Sequence, residues 1–124
     1  MKKLLIVDDD IGLAKAYARI GMDAGFEVHV VNNPLHATEA FLEFKPDVAV
    51  VDMIMPEKDG IDVLNEILLT GEPARIIVTS GYGDAMLRLA QGLATFHERG
   101  HLAVLKKPVR RSDLKKLLTE STTN

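Results

Sequence analysis

The sequence contains no cysteine, so disulfides, thiolate metal sites and cysteine nucleophiles are excluded. No apolar run approaches the roughly 20 residues that a membrane-spanning helix requires. The apolar stretch near the N-terminus covers only Leu4 to Val7 and then meets three aspartates, which argues against a secretory signal peptide. We therefore expect a cytoplasmic protein with no membrane partner.

The chain also lacks a strong excess of charge of one sign, because its 15 basic and 18 acidic residues give a net charge of −3. This balance provides no general attraction to nucleic acid or to anionic membranes. A basic cluster near the C-terminus has no interleaved aromatic residues, which nucleic-acid-binding surfaces often carry. Apart from Lys107, we expect a solvated helix face, or a surface for an acidic partner, and no nucleic-acid binding by this domain. The cluster consists of Lys106, Lys107, Arg110, Arg111, Lys115 and Lys116.

Short apolar or β-branched runs alternate five times with segments of helical period. In a chain of 124 residues with 47% hydrophobic residues, this alternation predicts one α/β domain with helices on both faces of a parallel sheet. The expected fold is a single (βα)5 doubly wound, five-stranded, flavodoxin-like sheet in the order 2-1-3-4-5. The domain is expected to span residues 1–124, with 118–124 as a tail or the start of a linker. The predicted strands are Leu4–Val7, Glu27–Val31, Val48–Val51, Ile76–Val78 and Ala103–Leu105, and the predicted helices lie near 11–24, 34–44, 61–69, 84–99 and from 112 onwards.

Carboxylates follow two of the predicted strands. The first strand ends in Asp8, Asp9 and Asp10, and the third ends in Asp52. In the expected strand order these two strands are neighbours, so their acidic residues converge at the carboxyl edge of the sheet, where ligands bind. Crowded carboxylates raise one another's pKa unless a cation neutralises them, and oxygen ligands of this kind suit Mg²⁺. The alternative for these residues is a helix cap, and we favour it for Asp10.

Two further polar residues are expected at the same edge of the sheet. Ser80 closes the fourth strand, and Lys107 follows the fifth. A hydroxyl and an ammonium beside a metal-bound carboxylate make a pocket for a phosphoryl group, because Mg²⁺ and lysine balance its charge while the hydroxyl donates a hydrogen bond.

With these residues in place, the chain resembles the receiver domains of two-component response regulators over essentially its whole length. The stretch with the pattern Asp-x-x-Met-Pro-x-x-Asp-Gly is the most specific part of the resemblance, and the motifs occur in family order. They are Leu5-Ile6-Val7-Asp8-Asp9-Asp10, Val51-Asp52-Met53-Ile54-Met55-Pro56, Asp59-Gly60, Val78-Thr79-Ser80-Gly81 and Leu105-Lys106-Lys107-Pro108.

The resemblance implies that Asp52 is the phosphoacceptor. It also implies that Asp8 and Asp9 are the acidic pair that holds Mg²⁺ together with Asp52, with Asp9 the preferred direct ligand. The backbone carbonyl of Ile54 matches a further metal ligand.

The resemblance assigns the phosphoryl-binding hydroxyl to Ser80, because Thr79 lies one place early in the alignment. Lys107 matches the family's lysine, and its bond to Pro108 is expected to be cis. The implied function is a phosphoryl-accepting switch rather than an enzyme. Its implied partners are a histidine kinase or histidine phosphotransfer protein and a downstream protein target.

The sequence departs from the family pattern in two places. Receivers commonly carry Tyr or Phe three positions before the lysine, where this chain has Val104. The segment from Ser80 to Lys107 is also longer than usual by about one helical turn. Val104 is the one feature that supports an alternative, a non-phosphorylated receiver-like docking module. A third possibility, a phosphate hydrolase of the haloacid-dehalogenase type, expects a second Asp at the position of Ile54.

A zinc-protease pattern also occurs, His-Glu-x-x-His, from His97 to His101. Such a site needs both histidines on one continuous helical face. Gly100 is expected to end the helix between them, so we predict a solvated helix end and no zinc site.

Overall fold

The structure is a computed structural model that describes residues 1–81, 84–97 and 102–122. Its five described strands form one parallel sheet in the order β2-β1-β3-β4-β5, which confirms the predicted fold. The strands are β1 (Lys3–Val7), β2 (Glu27–Val31), β3 (Val48–Asp52), β4 (Arg75–Ser80) and β5 (Ala103–Lys106). The helices are α1 (Ile11–Asp23), α2 (Ala37–Phe44), α3 (Gly60–Leu69), α4 (Asp84–Phe96) and α5 (Arg111–Thr122), with a 3₁₀ turn at Pro34–His36. None of the described helices has the length and apolar character needed to cross a bilayer.

The two faces of the sheet carry separate apolar clusters, because successive side chains of a strand point in opposite directions. Leu4 and Ile6 of β1 pack under α1 and α5. Leu5 and Val7 pack under α2, α3 and α4. The central strands are therefore buried on both faces, which explains their continuous apolar sequences.

The ends of α1 follow local sequence rules. The Asp10 carboxylate accepts a hydrogen bond from the backbone N–H of Leu13 at 3.0 Å, which confirms Asp10 as the helix cap. After the helix, Gly25 adopts a φ of +90°, a conformation that glycine reaches without strain. The chain can therefore turn sharply into β2.

The predicted and observed elements differ mainly at their ends. Helix α4 ends at Phe96, whereas the sequence predicts helix to about residue 99, and residues 98–101 lie outside the described residues. Helix α5 runs to Thr122 with Leu118 buried, so it includes much of the segment 118–124 for which the sequence predicts a tail. The extent of the domain stays a prediction.

Candidate functional site

Acidic residues converge where β1 and β3 end. Val7 pairs with Val51 in the sheet, which places Asp8 and Asp52 side by side at the carboxyl edge. Carboxylate oxygens of Asp8, Asp9 and Asp52 lie within 4.8 Å of one another, and these residues form the one such cluster among the described residues. Only 1% of Asp8 and 3% of Asp52 is exposed. Buried acids this close together need a nearby positive charge.

The two carboxylate oxygens of Asp8 have different surroundings. Oδ1 accepts a hydrogen bond from the backbone N–H of Asp10 at 2.9 Å. Oδ2 is buried without any hydrogen-bond partner among the described residues, and the Lys107 Nζ lies 3.9 Å from it. The unsatisfied oxygen and its two acidic neighbours therefore fit a hard divalent cation such as Mg²⁺, which takes carboxylate oxygens and keeps several waters.

Burial raises the pKa of Asp8 from its ordinary value of 3.8 to about 6. The charges of Asp52 and Asp9 contribute to this rise, while the hydrogen bond from the N–H of Asp10 and the ammonium of Lys107 oppose it. Asp8 is thus held in an environment that disfavours its charged form, and a bound cation would remove this cost.

Lys107 brings a positive charge to the phosphoacceptor candidate. Its Nζ lies 3.1 Å from Oδ2 of Asp52, and its backbone N–H donates to the carbonyl of Ser80 at 2.9 Å. The Lys107–Pro108 bond is cis, as predicted. The backbone pairing of β4 with β5 therefore fixes this lysine beside the acids, which the sequence predicted only from the order of the strands.

Two hydroxyl residues end β4, and the strand directs them to opposite faces. Thr79 pairs with Asp52 in the sheet. It lies two residues after Ile77, so its side chain points to the same face, towards α1 and α5. Ser80 lies two residues after Val78, so its side chain points to the opposite face, towards α2, α3 and α4. Both residues are buried. The role of Ser80 as the phosphoryl-binding hydroxyl stays a prediction.

The loop after β3 folds back onto the acidic cluster. The backbone N–H of Ile54 donates to Oδ1 of Asp52 at 3.3 Å. The N–H of Gly60 donates to the carbonyl of Met53 at 3.1 Å, which closes the loop at the start of α3. Ile54 thereby lies at the edge of the site, and its carbonyl stays a predicted metal ligand.

The acids open into a cleft with a volume of about 720 Å³. Its walls come from the N-terminal half of α1, the ends of β3 and β4, and the loop that precedes α5. The lining residues are Asp9, Asp10, Leu13, Tyr17, Asp52, Ile54, Gly81, Lys107, Pro108 and Val109. The cleft is large enough to admit a phosphorylated side chain of another protein.

Tyr17 is a polar residue of the site that the sequence pattern did not predict. Its helical spacing with Leu13 and Ile20 is typical of a core position, and it does belong to the α1–α5 cluster. Burial raises the pKa of Tyr17 to about 12, and the charges of Asp8, Asp52 and Asp10 contribute to the rise. The available signal was its hydroxyl, since a tyrosine in an apolar stripe needs a polar partner.

The zinc-protease pattern gains no support from the described part of the chain. The Nε2 of His97 lies 3.1 Å from the Oδ1 of Asn65 in α3, so this histidine packs against a neighbouring helix instead of only facing solvent. His101 lies outside the described residues.

In the basic cluster, Arg111 pairs with Asp23 of α1, which gives at least one of these charges a structural role.

Known proteins match most of the chain. The family model described as "Response regulator receiver domain" matches residues 4–119. The chain is 38% identical over 85 residues to the chemotaxis protein CheY of Listeria monocytogenes, covering 68% of this chain and 71% of that protein. It is 30% identical over 83 residues to sporulation initiation phosphotransferase F of Bacillus subtilis, covering 67% of each.

The fold is matched over nearly the full length by solved structures. A response regulator from Colwellia psychrerythraea superposes with a TM-score of 0.79 at 29% identity, covering 98% of this chain and 97% of that one. The family match, the strand order and the acidic cluster beside Lys107 all agree. The chain belongs to the response regulator receiver domains, which act as phosphoryl-accepting switches in two-component signalling.

Proposed function

We propose that Asp52 accepts the phosphoryl group, with Mg²⁺ held by Asp8, Asp9, Asp52 and the carbonyl of Ile54. The observation that carries the proposal is the three-carboxylate cluster within 4.8 Å, with the ammonium of Lys107 at 3.1 Å from Asp52. When bound, Mg²⁺ would supply positive charge that neutralises the acids and the incoming phosphoryl oxygens. The unsatisfied oxygen of Asp8 supports this assignment.

The transfer that we propose starts from the phosphohistidine of a histidine kinase or phosphotransfer protein. An oxygen of Asp52 forms a bond to phosphorus while the donor's P–N bond breaks, and the released imidazole nitrogen takes up a proton. Lys107 lies close enough to Asp52 to pair with an oxygen of the phosphoryl group, and Ser80 would donate a hydrogen bond to another. The resulting acyl phosphate would bias the domain toward the form that binds a downstream protein.

Replacing Asp52 tests the acceptor directly. Wild type incubated with Mg²⁺ and acetyl phosphate should gain the mass of one phosphoryl group, and Asp52→Ala should gain none. Asp62→Ala is the matched control, because Asp62 is an exposed acid on α3 outside the cleft, and it should be labelled like wild type. Intact-protein mass spectrometry measures the result, and an unlabelled wild type would refute the proposal.

Replacing Lys107 tests the charge beside Asp52. Lys107→Met should slow phosphorylation by acetyl phosphate by about 100-fold, because it removes one positioned group that stabilises developing charge. The neighbouring Lys106 is exposed, so Lys106→Met should react at close to the wild-type rate. Labelling time courses by mass spectrometry measure both rates, and equal rates in the two variants would contradict the role of Lys107.

The remaining features refine the proposal without changing it. A single receiver domain is expected to take up one phosphoryl group and not to turn over a separate substrate. A cytoplasmic location stays a prediction.

Val104 is half-buried on β5, where other receivers carry an aromatic residue, so we expect the link between Asp52 and the partner surface to differ in detail. The docking-module alternative is not favoured, because the acids and Lys107 form a cluster suited to phosphoryl transfer.

A further inference from the structure

A buried hydroxyl borders the acidic cluster. Only 3% of Tyr17 is exposed, and its Oη makes no hydrogen bond with any described residue. A buried hydroxyl without a partner is unfavourable because it has lost its hydrogen bonds to water, so phenylalanine would suit the apolar cluster better if packing were the only function of this side chain. The partner of this hydroxyl is therefore not one of the described residues, and ordered water can take that place.

The geometry of α1 directs this hydroxyl toward the acids. Side chains on an α-helix lean toward its N-terminus, and the N-terminus of α1 carries Asp10 directly after Asp8 and Asp9. Tyr17 lines the same cleft as Asp9, Asp52 and Lys107. Among the charged groups that shift the pKa of Tyr17, Asp8 has the largest effect. A tyrosine hydroxyl is protonated at neutral pH, so it can donate a hydrogen bond.

The Asp8 carboxylate offers a hydrogen-bond acceptor that complements the Tyr17 donor. Among the described residues, Oδ2 of Asp8 is a buried acceptor without a hydrogen bond, and Oη of Tyr17 is a buried donor without one. No direct bond joins them, but a water molecule can join a donor and an acceptor that do not touch. The cleft has room for ordered water, and it is lined by Tyr17 and by Asp9, which follows Asp8 in the chain.

We propose that Tyr17 is a positioning residue of the metal site, which donates a hydrogen bond through one water molecule to the Oδ2 of Asp8. This contact would orient the Asp8 carboxylate for Mg²⁺. Groups that orient metal-binding carboxylates typically change metal affinity by about 10- to 100-fold when they are removed. The inference rests on the proposed function, since it assigns a role within the same magnesium site.

The test is Tyr17→Phe, which removes the hydroxyl and keeps the ring. We expect its Mg²⁺ dissociation constant, measured by isothermal titration calorimetry, to rise by about tenfold. Its thermal unfolding temperature in EDTA, measured beside that of wild type, separates this effect on Mg²⁺ binding from any loss of folded stability. A purely structural role would instead lower stability in EDTA and leave the Mg²⁺ affinity unchanged.

Thr79→Val is the matched control. The Oγ1 of Thr79 is also buried without a hydrogen bond to any described residue, but Thr79 is not one of the lining residues given for the cleft. Its removal should leave the Mg²⁺ affinity unchanged, and an equal loss in this variant would overturn the assignment to Tyr17. If wild type is labelled by acetyl phosphate and Tyr17→Phe binds Mg²⁺ like wild type, only this inference fails. If wild type neither binds Mg²⁺ nor is labelled, the proposed function and this inference fail together.

Discussion

In the absence of metal at pH 7, Asp8→Asn is expected to be more stable than wild type by up to about 3 kcal/mol. Asp8 is almost completely buried, and burial raises its pKa from 3.8 to about 6, so folding at pH 7 must place a disfavoured charge in the cluster. Asparagine keeps the size of the side chain and can still accept the hydrogen bond from the N–H of Asp10. It therefore removes the charge with little change in packing.

The sign of the pH dependence follows from the same pKa. The folded state of wild type holds its proton on Asp8 more tightly than the unfolded state does, so the contribution of this proton to stability is complete below about pH 4. It is lost as the pH rises through about 6. The difference in unfolding free energy between Asp8→Asn and wild type should thus be small at pH 4 and largest at pH 7.

Urea unfolding followed by circular dichroism in EDTA at these two pH values measures the difference. Saturating Mg²⁺ should then stabilise wild type, by about 2.7 kcal/mol at 100 times the dissociation constant, and should not stabilise Asp8→Asn. An unfolding free-energy difference that is equal at pH 4 and pH 7 would show that the charge of Asp8 is not its cause. A similar response of both proteins to Mg²⁺ would argue against Asp8 as a metal ligand.

Gly60→Ala is expected to destabilise the protein by about 3 kcal/mol and to weaken Mg²⁺ binding. A Cβ atom at Gly60 would lie 2.0 Å from the carbonyl oxygen of Asp52 and 2.5 Å from the Cα of Met53. Both are backbone atoms, which cannot rotate away as the end of a side chain can. The end of β3 would have to shift, and it carries the carboxylate on which the proposed function depends.

Gly92→Ala is the matched control for this substitution. Gly92 lies in α4, and a Cβ atom added there would meet no atom of the described neighbouring residues within 4 Å, so alanine should fit and stabilise the helix by about 0.5–1 kcal/mol. Urea unfolding of the two variants, with calorimetric Mg²⁺ titration, measures both effects. Wild-type stability and wild-type Mg²⁺ affinity in Gly60→Ala would contradict the tight approach of α3 to β3.

Much of the fold was predictable because it depends on local patterns. Val48–Asp52 is buried throughout, and its uniformly apolar start marked it as a central strand. Asp10 was recognisable as a helix cap from its place before Ile11. The ends of α4 and α5 were less predictable, because polar residues continue past the last buried turn of each helix. The expected stop of α4 was Gly100, beyond the observed end at Phe96, and the sequence after Leu118 contains no clear stop.

The sequence predicted which residues form the candidate site, but not their hydrogen bonds, burial or close contacts. The positions of Asp8, Asp52 and Lys107 at strand ends indicated that they would meet. The sequence could not show that Asp8 has one satisfied and one unsatisfied oxygen, or that Gly60 contacts the backbone of Asp52. The hydroxyl of Tyr17 indicated that this core position on α1 needs a polar partner, but the sequence could not show that the side chain lines the cleft.

The order of apolar and polar residues alone determined that this chain forms alternating strands and helices with its acids at one edge of a parallel sheet, since side-chain periodicity and strand direction are local properties. Only the tertiary structure decided which acid is buried, which atoms lack partners and how closely the Lys107 ammonium approaches Asp52. These features depend on distances between segments far apart in sequence, and both the solvation and the interaction energy of a charge change steeply over a few ångströms.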